Sequence, residues 1–301
     1  MKKTDKGSYK ASPPEPKYLT RSSKSSKAKV ASKSKSSGRR RNKKKKKRQD
    51  IFRKSSPSPT VNFPPTPAPI DTASPTVTRC FADRQELDAA LDAFLGGDAV
   101  IAANVVNVYG EVRNWCVSQI TNFDSLFENR DTFNEPLDGW DTSRATSMAR
   151  AFFNADAFDQ NISMWDTSSV TNMASMFSFA DSFNQDLTFD TSSVVDMSGM
   201  FAFTTAFNGD ISSLDTSNVE SLISFLESAT AYNRAQDLID WDVSSVNNLS
   251  FFAQFAPNFS ANLCSWRDQL PATVVTTNAF LGTSCAVALP VTPPGTFCVT
   301  C

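Results

Sequence analysis

Residues 158–183, FDQNISMWDTSSVTNMASMFSFADSF, recur with variations along the chain. Sliding the stretch along the sequence gives anchors at Trp115, Trp140, Trp165, Phe189, Leu214, Trp241 and Trp266, at steps of 25, 25, 24, 25, 27 and 25 residues. A fixed period of this size marks stacked structural repeats. Ahead of each anchor comes an aromatic, mostly with Asn behind it, as in Phe133-Asn134, Phe183-Asn184, Phe207-Asn208 and Tyr232-Asn233. Directly after it stands Asp141, Asp166, Asp190, Asp215 or Asp242, four times leading Thr-Ser and once Val-Ser. Eight residues on sits Phe123, Met148, Met173, Met197, Leu222 or Leu249.

Two short elements are expected in each repeat. The Phe-Asn-x-x-Leu/Ile segment is brief and half apolar, which suits a strand, and stacked repeats would align such strands into a parallel sheet. Asp-Thr-Ser is turn and capping chemistry, because short polar side chains satisfy the free N–H groups of a helix start. Val170, Met173, Met176, Phe177 and Ala180 then follow at helical spacing, as do Val194, Met197, Met200 and Phe201. The expectation is an α/β repeat, a solenoid of about seven turns over residues 113–285. Each unit alone buries little, and stacking makes a continuous core. On that logic the Met, Phe and Trp stripes are core rather than a cofactor site. Ahead of the array, residues 79–112 are placed to cap its open end. Within them 83–95 reads as a helix with Leu87, Leu91, Phe94 and Leu95 inward and Gly96-Gly97 as its stop. Residues 100–109 are β-branched and read as a strand ended by Gly110. Residues 286–301 form a C-terminal tail.

The first 78 residues differ from all this. They hold 22 Lys+Arg against 4 Asp+Glu, whereas residues 79–301 hold 8 against 27. A net charge of −1 therefore conceals a basic arm joined to an acidic body. Residues 1–55 cannot bury enough apolar surface to offset their ordering entropy and read as a disordered basic arm. Residues 56–78, with Pro64, Pro65, Pro67 and Pro69, read as an extended linker. The cluster Arg39, Arg40, Arg41, Lys43, Lys44, Lys45, Lys46, Lys47 and Arg48 is a candidate polyanion or nuclear-localisation patch, since clustered cations displace counterions from phosphate backbones. No aromatic is interleaved in it to stack on bases, which argues against sequence-specific readout. No apolar run of the secretory-signal kind precedes Ile51, and residues 99–108 fall short of the ~20 apolar residues of a membrane span.

Catalytic chemistry is sparse. The chain has no histidine, which removes the commonest general base and neutral metal ligand. There is no Gly-rich phosphate loop, no GxSxG and no paired CxxC; Cys298 and Cys301 form a lone CxxC. No enzyme activity and no cofactor are expected. Asp141, Asp166, Asp190, Asp215 and Asp242 would line one edge at the roughly 5 Å strand pitch. They are weak candidates for a cation-binding ridge, weighed against the preferred reading that each caps its own turn. The Asn residues are read as an internal ladder to adjacent backbone. Cys80 with Cys116, and Cys264 with Cys285, are candidate disulfides at the two ends of the array. Six cysteines so placed fit an oxidising compartment, although six allow fifteen pairings.

The string Trp-Asp-Thr-Ser-Ser-Val-Thr-Asn-Met-Ala-Ser-Met-Phe over 165–177, with Ala180, Phe183 and Asn184, resembles the repeat of BspA-like leucine-rich-repeat surface proteins. That group includes the mycoplasma-lipoprotein-type repeat of unknown function. The resemblance covers about 113–285, with Phe189 and Leu214 as departures at the anchor. It implies a right-handed leucine-rich-repeat-type solenoid that binds a protein or surface polymer at cell surfaces, with no catalytic residues to carry over. The alternative is an intracellular or nuclear scaffold whose arm holds nucleic acid, an anionic membrane surface or an acidic partner. Resemblance and cysteines favour the surface; the basic cluster and the lack of a signal favour the cell interior.

Overall fold

The computed structural model describes residues 79–261 and 263–284. Three α-helices occur among them: α1 (Arg84–Leu95), α2 (Ala99–Tyr109) and the single turn α3 (Cys264–Arg267). The remainder is built of turns that lie side by side, joined by parallel bridges running Asn122 to Ser147, Asn172, Asp196, Ser221, Asn248 and Val275.

The inter-turn bonding follows one rule. In the turn around Met173, the N–H groups of Met173, Ser175, Phe177 and Phe179 donate forward to the carbonyls of Asp196, Ser198, Met200 and Ala202, at 2.7–2.9 Å. The intervening N–H groups of Met176, Ser178 and Ala180 donate back three residues, to Met173, Ser175 and Phe177. Alternate amides therefore point along the stack, and the others close a chain of tight turns. Ser175 and Phe179 have φ of 56° and 63°, a left-handed conformation that no α-helix contains. The helix expected over 170–180 is thus absent. Its spacing of three and four residues is that of consecutive i to i+3 turns, which also bring Met173, Met176, Phe177 and Ala180 inward, all fully buried.

The expected sheet also moves. The parallel bridges lie at the residue before the Met position, not in the Phe-Asn-x-x-Leu segment. In that segment, bonds between turns are partly made by side chains: Asn134 Oδ1 accepts the Asp159 N–H and Asp159 Oδ1 accepts the Asn184 N–H, both at 2.9 Å.

The predicted strand at 100–109 is α2 instead. The Asp98 carboxylate caps it by accepting the N–H groups of Val100 and Ile101, and the Gly110 N–H closes its end on the Val106 carbonyl with φ of 80°. Val105 and Tyr109, one turn apart, are its buried residues. The three alanines favour the helix, and with caps at both ends they outweigh the β-branched preference. Helix α1 forms over nearly the expected span, with Asp83 as N-cap and Leu87, Ala90 and Leu91 buried.

Between the turns the core is a set of files. Trp115, Trp140 and Trp165 stack at 6.5 and 6.2 Å between ring centroids, and Trp241 on Trp266 at 6.3 Å. A second file runs Phe133, Phe158, Phe183, Phe207, Tyr232, and a third runs Phe127, Phe152, Phe177, Phe201. Burying each such side chain is worth about 1.5–3 kcal/mol, and offset-stacked neighbours add to this. At the N-terminal end Phe81 and Tyr109 stack at 4.4 Å against Trp115, which extends the file into the cap.

Candidate functional site

The five aspartates of the predicted ridge are positioned by the turn that follows each anchor. Oδ1 of Asp141, Asp166, Asp190 and Asp215 accepts both the N–H and the hydroxyl of the serine two residues on, with hydroxyl distances of 2.6–2.7 Å. Asp242 accepts the Ser244 N–H at 2.9 Å. These bonds to the ionised form, the serine hydroxyl first and its N–H second, hold the carboxyls of Asp141, Asp190 and Asp242 below the usual carboxylate value. One oxygen of each carboxylate is thus committed to its own turn. Among the described residues no group of three or more His, Cys, Asp or Glu is placed to hold a metal ion.

The residue after each Asp carries a different task. Thr142, Thr167, Thr191 and Thr216 are buried, and each hydroxyl donates to the carbonyl of the aspartate in the next turn, at 2.8–2.9 Å. The Asp-Thr-Ser signature is therefore two ladders at once, a local cap from Asp to Ser and an inter-turn bridge from Thr. Sequence reasoning found the first and missed the second, although a Thr recurring between the same Asp and Ser in four of the five turns was the available signal.

The asparagine ladder lies on the surface. Asn184 Oδ1 accepts the Asn208 N–H at 2.7 Å and Asn208 Oδ1 accepts the Asn233 N–H at 3.0 Å. Nearby, Arg234 spans Asp210 at 2.9 Å and Asp237 at 2.8 Å. Other arginines of the body are also engaged, among them Arg113 with Asp138, Arg130 with Asp92, and Arg144 with Gln119.

Phenylalanines at the surface went unnoticed in the sequence. Phe153 packs edge-on against Phe179, which stacks on Phe203 at 4.6 Å. The Arg150 guanidinium lies 3.9 Å above the Phe153 ring, a cation–π contact. Phe179, Phe203 and Phe255 occupy the left-handed slot that Asn129 and Asn154 fill in earlier turns. That conformation suits Asn and is costly for a bulky side chain, so comparing the slot from turn to turn would have singled them out.

Of the candidate disulfides, Cys80 and Cys116 are bonded, with their Cα atoms 4.4 Å apart, and tie the start of the cap to the first turn. Cys264 is also disulfide-bonded. Cys285 lies outside the described residues, as do Arg39, Arg40, Arg41, Lys43, Lys44, Lys45, Lys46, Lys47 and Arg48 of the basic cluster. Among the described residues no helix is long and apolar enough to cross a membrane.

No curated protein and no solved structure matches the chain. A family profile described as "Mycoplasma protein of unknown function, DUF285" matches residues 99–189 and 187–284. The two matched segments meet at Phe189, where an anchor Trp is replaced and a residue is lost. By this match, which spans more than half of its length, the chain belongs to the DUF285 family of unknown function.

Proposed function

We propose that the chain is a non-enzymatic binding scaffold, a right-handed leucine-rich-repeat-type solenoid of about seven turns whose partner is a protein or surface polymer outside the cell. The observation that carries this reading is the Cys80–Cys116 disulfide. Such bonds persist in oxidising compartments and are reduced in a cytosol. The run of parallel bridges from Asn122 to Val275 supports the solenoid geometry. The binding role is favoured by how the recurring polar groups are used: Asp, Ser, Thr and Asn of the repeat bond to backbone or to one another within and between turns. What varies from turn to turn is the exposed side chains, the usual carriers of recognition on a repeat scaffold. A second reading rests on the basic cluster at residues 39–48, which suits a polyanion such as nucleic acid or an anionic membrane surface.

Labelling intact source cells with a membrane-impermeant amine reagent separates the two, because residues 1–54 carry every lysine of the chain. The surface reading expects label on this protein before lysis. Label that reaches it only after lysis, together with free Cys80 and Cys116 thiols, would replace it with the intracellular reading.

A further inference from the structure

The second left-handed position of each turn forms a column that the backbone register fixes. The N–H groups of Phe179, Phe203, Ser228 and Phe255 donate to the carbonyls of Ala202, Glu227, Gln254 and Leu281, at 2.6–2.9 Å. Each acceptor is the residue just ahead of the next member of the column. The φ angles at these four positions are 57–63°, which strains a bulky side chain. Full burial does not offset that strain, since Phe203 is half-buried and Phe255 is 53 % exposed.

Ser228 interrupts the rings. Phe203 stacks one face on Phe179 at 4.6 Å, with the planes 4° apart, so its other face turns towards the small Ser228. Beyond Ser228 the Phe255 ring leans the other way, against Gly282, where an added Cβ would meet its Cδ1 at 2.9 Å. The resulting recess is bordered by Glu227, which is half-buried. Among the described residues no hydrogen bond or ion pair engages the Glu227 carboxylate. Arg234, the nearest arginine along the chain, is committed to Asp210 and Asp237.

The chain itself shows what such a combination holds. The Arg150 guanidinium lies 3.9 Å above the Phe153 ring and pairs with Glu128. Glu128 and Glu227 occupy the same place in their turns, directly ahead of Asn129 and Ser228 in the column. Phe203 and Glu227 therefore repeat an aromatic face beside a carboxylate, without an arginine of the described chain between them. The body as a whole carries 8 arginines against 27 Asp and Glu, a field that draws in a cation.

We propose that the recess at Ser228 takes an arginine side chain of a partner protein, stacked on Phe203 and paired with Glu227. This rests on the reading of the chain as a binding scaffold and gives the partner its chemistry. A guanidinium is planar and weakly hydrated, so it can stack and pair at once, whereas the compact, strongly hydrated ammonium of lysine fits such a site less well.

The test titrates the full chain with a blocked peptide of alternating glycine and arginine and with its lysine counterpart, following the Ser228 amide by NMR. Salt at about 0.15 M screens long-range charge effects. The arginine peptide should bind about fivefold more tightly than the lysine one. Phe203→Ser and Glu227→Gln should each weaken it by about fivefold, whereas Glu135→Gln, which removes the same charge from an early turn, should not. Phe203→Tyr restores an aromatic face and should retain binding. Equal affinity for the two peptides, or an equal loss in Glu135→Gln, assigns binding to the acidic body at large and overturns the proposal. Binding unchanged in both Phe203→Ser and Glu227→Gln overturns it as well, as does a Ser228 response to the uncharged oligosaccharide maltoheptaose in place of the arginine peptide. Cell-surface labelling reads the compartment and this titration reads one recess, so either can fail alone.

Discussion

The indole N–H of Trp165 donates to the backbone carbonyl of Leu137 at 3.0 Å, reaching back across one whole turn. Trp140, Trp241 and Trp266 make the same reach to Val112, Ile211 and Leu238. The anchor is thus a hydrophobic block with one polar atom, and that atom fixes the register between turns. At Leu214, which has no such donor, the neighbouring Ser213 hydroxyl takes the Leu187 carbonyl instead, at 3.2 Å. Trp165→Phe keeps most of the volume and loses the bond, so it should cost about 1 kcal/mol. Trp165→Ala should cost about 3–5 kcal/mol through the cavity it opens. Equilibrium urea unfolding of both variants checks the difference. Equal losses would mean that the indole bond contributes nothing.

Met173 tests the core in a second way. It is fully buried in a central turn, and its N–H and carbonyl are both committed, to Asp196 and from Met176. Met173→Asp would place a carboxyl where nothing can pair with it, which costs several kcal/mol or forces the group to stay protonated. Thermal unfolding should shift down sharply at pH 7 and partly recover near pH 4, where the aspartate takes up its proton. Met173→Leu, which conserves volume, should lie within about 1.5 kcal/mol of the parent.

How much of this was visible beforehand differs from element to element. The period, the anchors and the buried stripe of Val170, Met173, Met176, Phe177 and Ala180 follow directly from residue type, because burial depends on side chains. Backbone conformation was misread in the same stripe. A run of i to i+3 turns and a helix both return to one face every three to four residues, and only the left-handed Ser175 and Phe179 tell them apart. Neither is a residue whose identity announces positive φ. In α2 the misreading ran the other way, since Val100, Ile101, Val105, Val106 and Val108 have strand preferences while the Asp98 cap and the neighbouring alanines decide for helix. The Cys80–Cys116 pair was legible from its position at one end of the array. The Arg150–Phe153 contact was not, because it depends on the exposed face of the turns, which the core pattern does not specify.

Acid should loosen the Asp-Ser turns. The carboxyls of Asp141, Asp190 and Asp242 sit below their ordinary value of 3.8 because serine hydroxyl and N–H groups bond the ionised form. A depressed folded-state value contributes stability that is present above the unfolded value and is lost as pH falls through the folded one. All three groups are exposed, so each contribution is small and solvent-screened. The combined Asp141→Asn, Asp190→Asn and Asp242→Asn variant keeps an acceptor for each serine N–H and removes three titrations. Its melting temperature should fall less steeply than the parent's below about pH 4. Parallel acid limbs would show that these caps do not couple to folding.

Alkali should act on the cap through Tyr109. Its hydroxyl donates to Glu86 Oε1 at 2.8 Å, and the same carboxylate pairs with Arg79 at 2.7 Å. Burial, and then the hydrogen bond and charge of Glu86, push the phenol up from 10.0 to about 12. Because the folded value is raised, the folded chain holds this proton after the unfolded chain has released it. Stability is therefore unaffected below pH 10 and declines as pH climbs from there towards 12. A difference titration of phenolate absorbance between the parent and Tyr109→Phe should place the lost ionisation near 12. The variant should also melt less steeply with rising pH above 10. An ionisation near 10 in the folded protein would mean that Tyr109 is not held against Phe81 and Trp115, and that the cap is open.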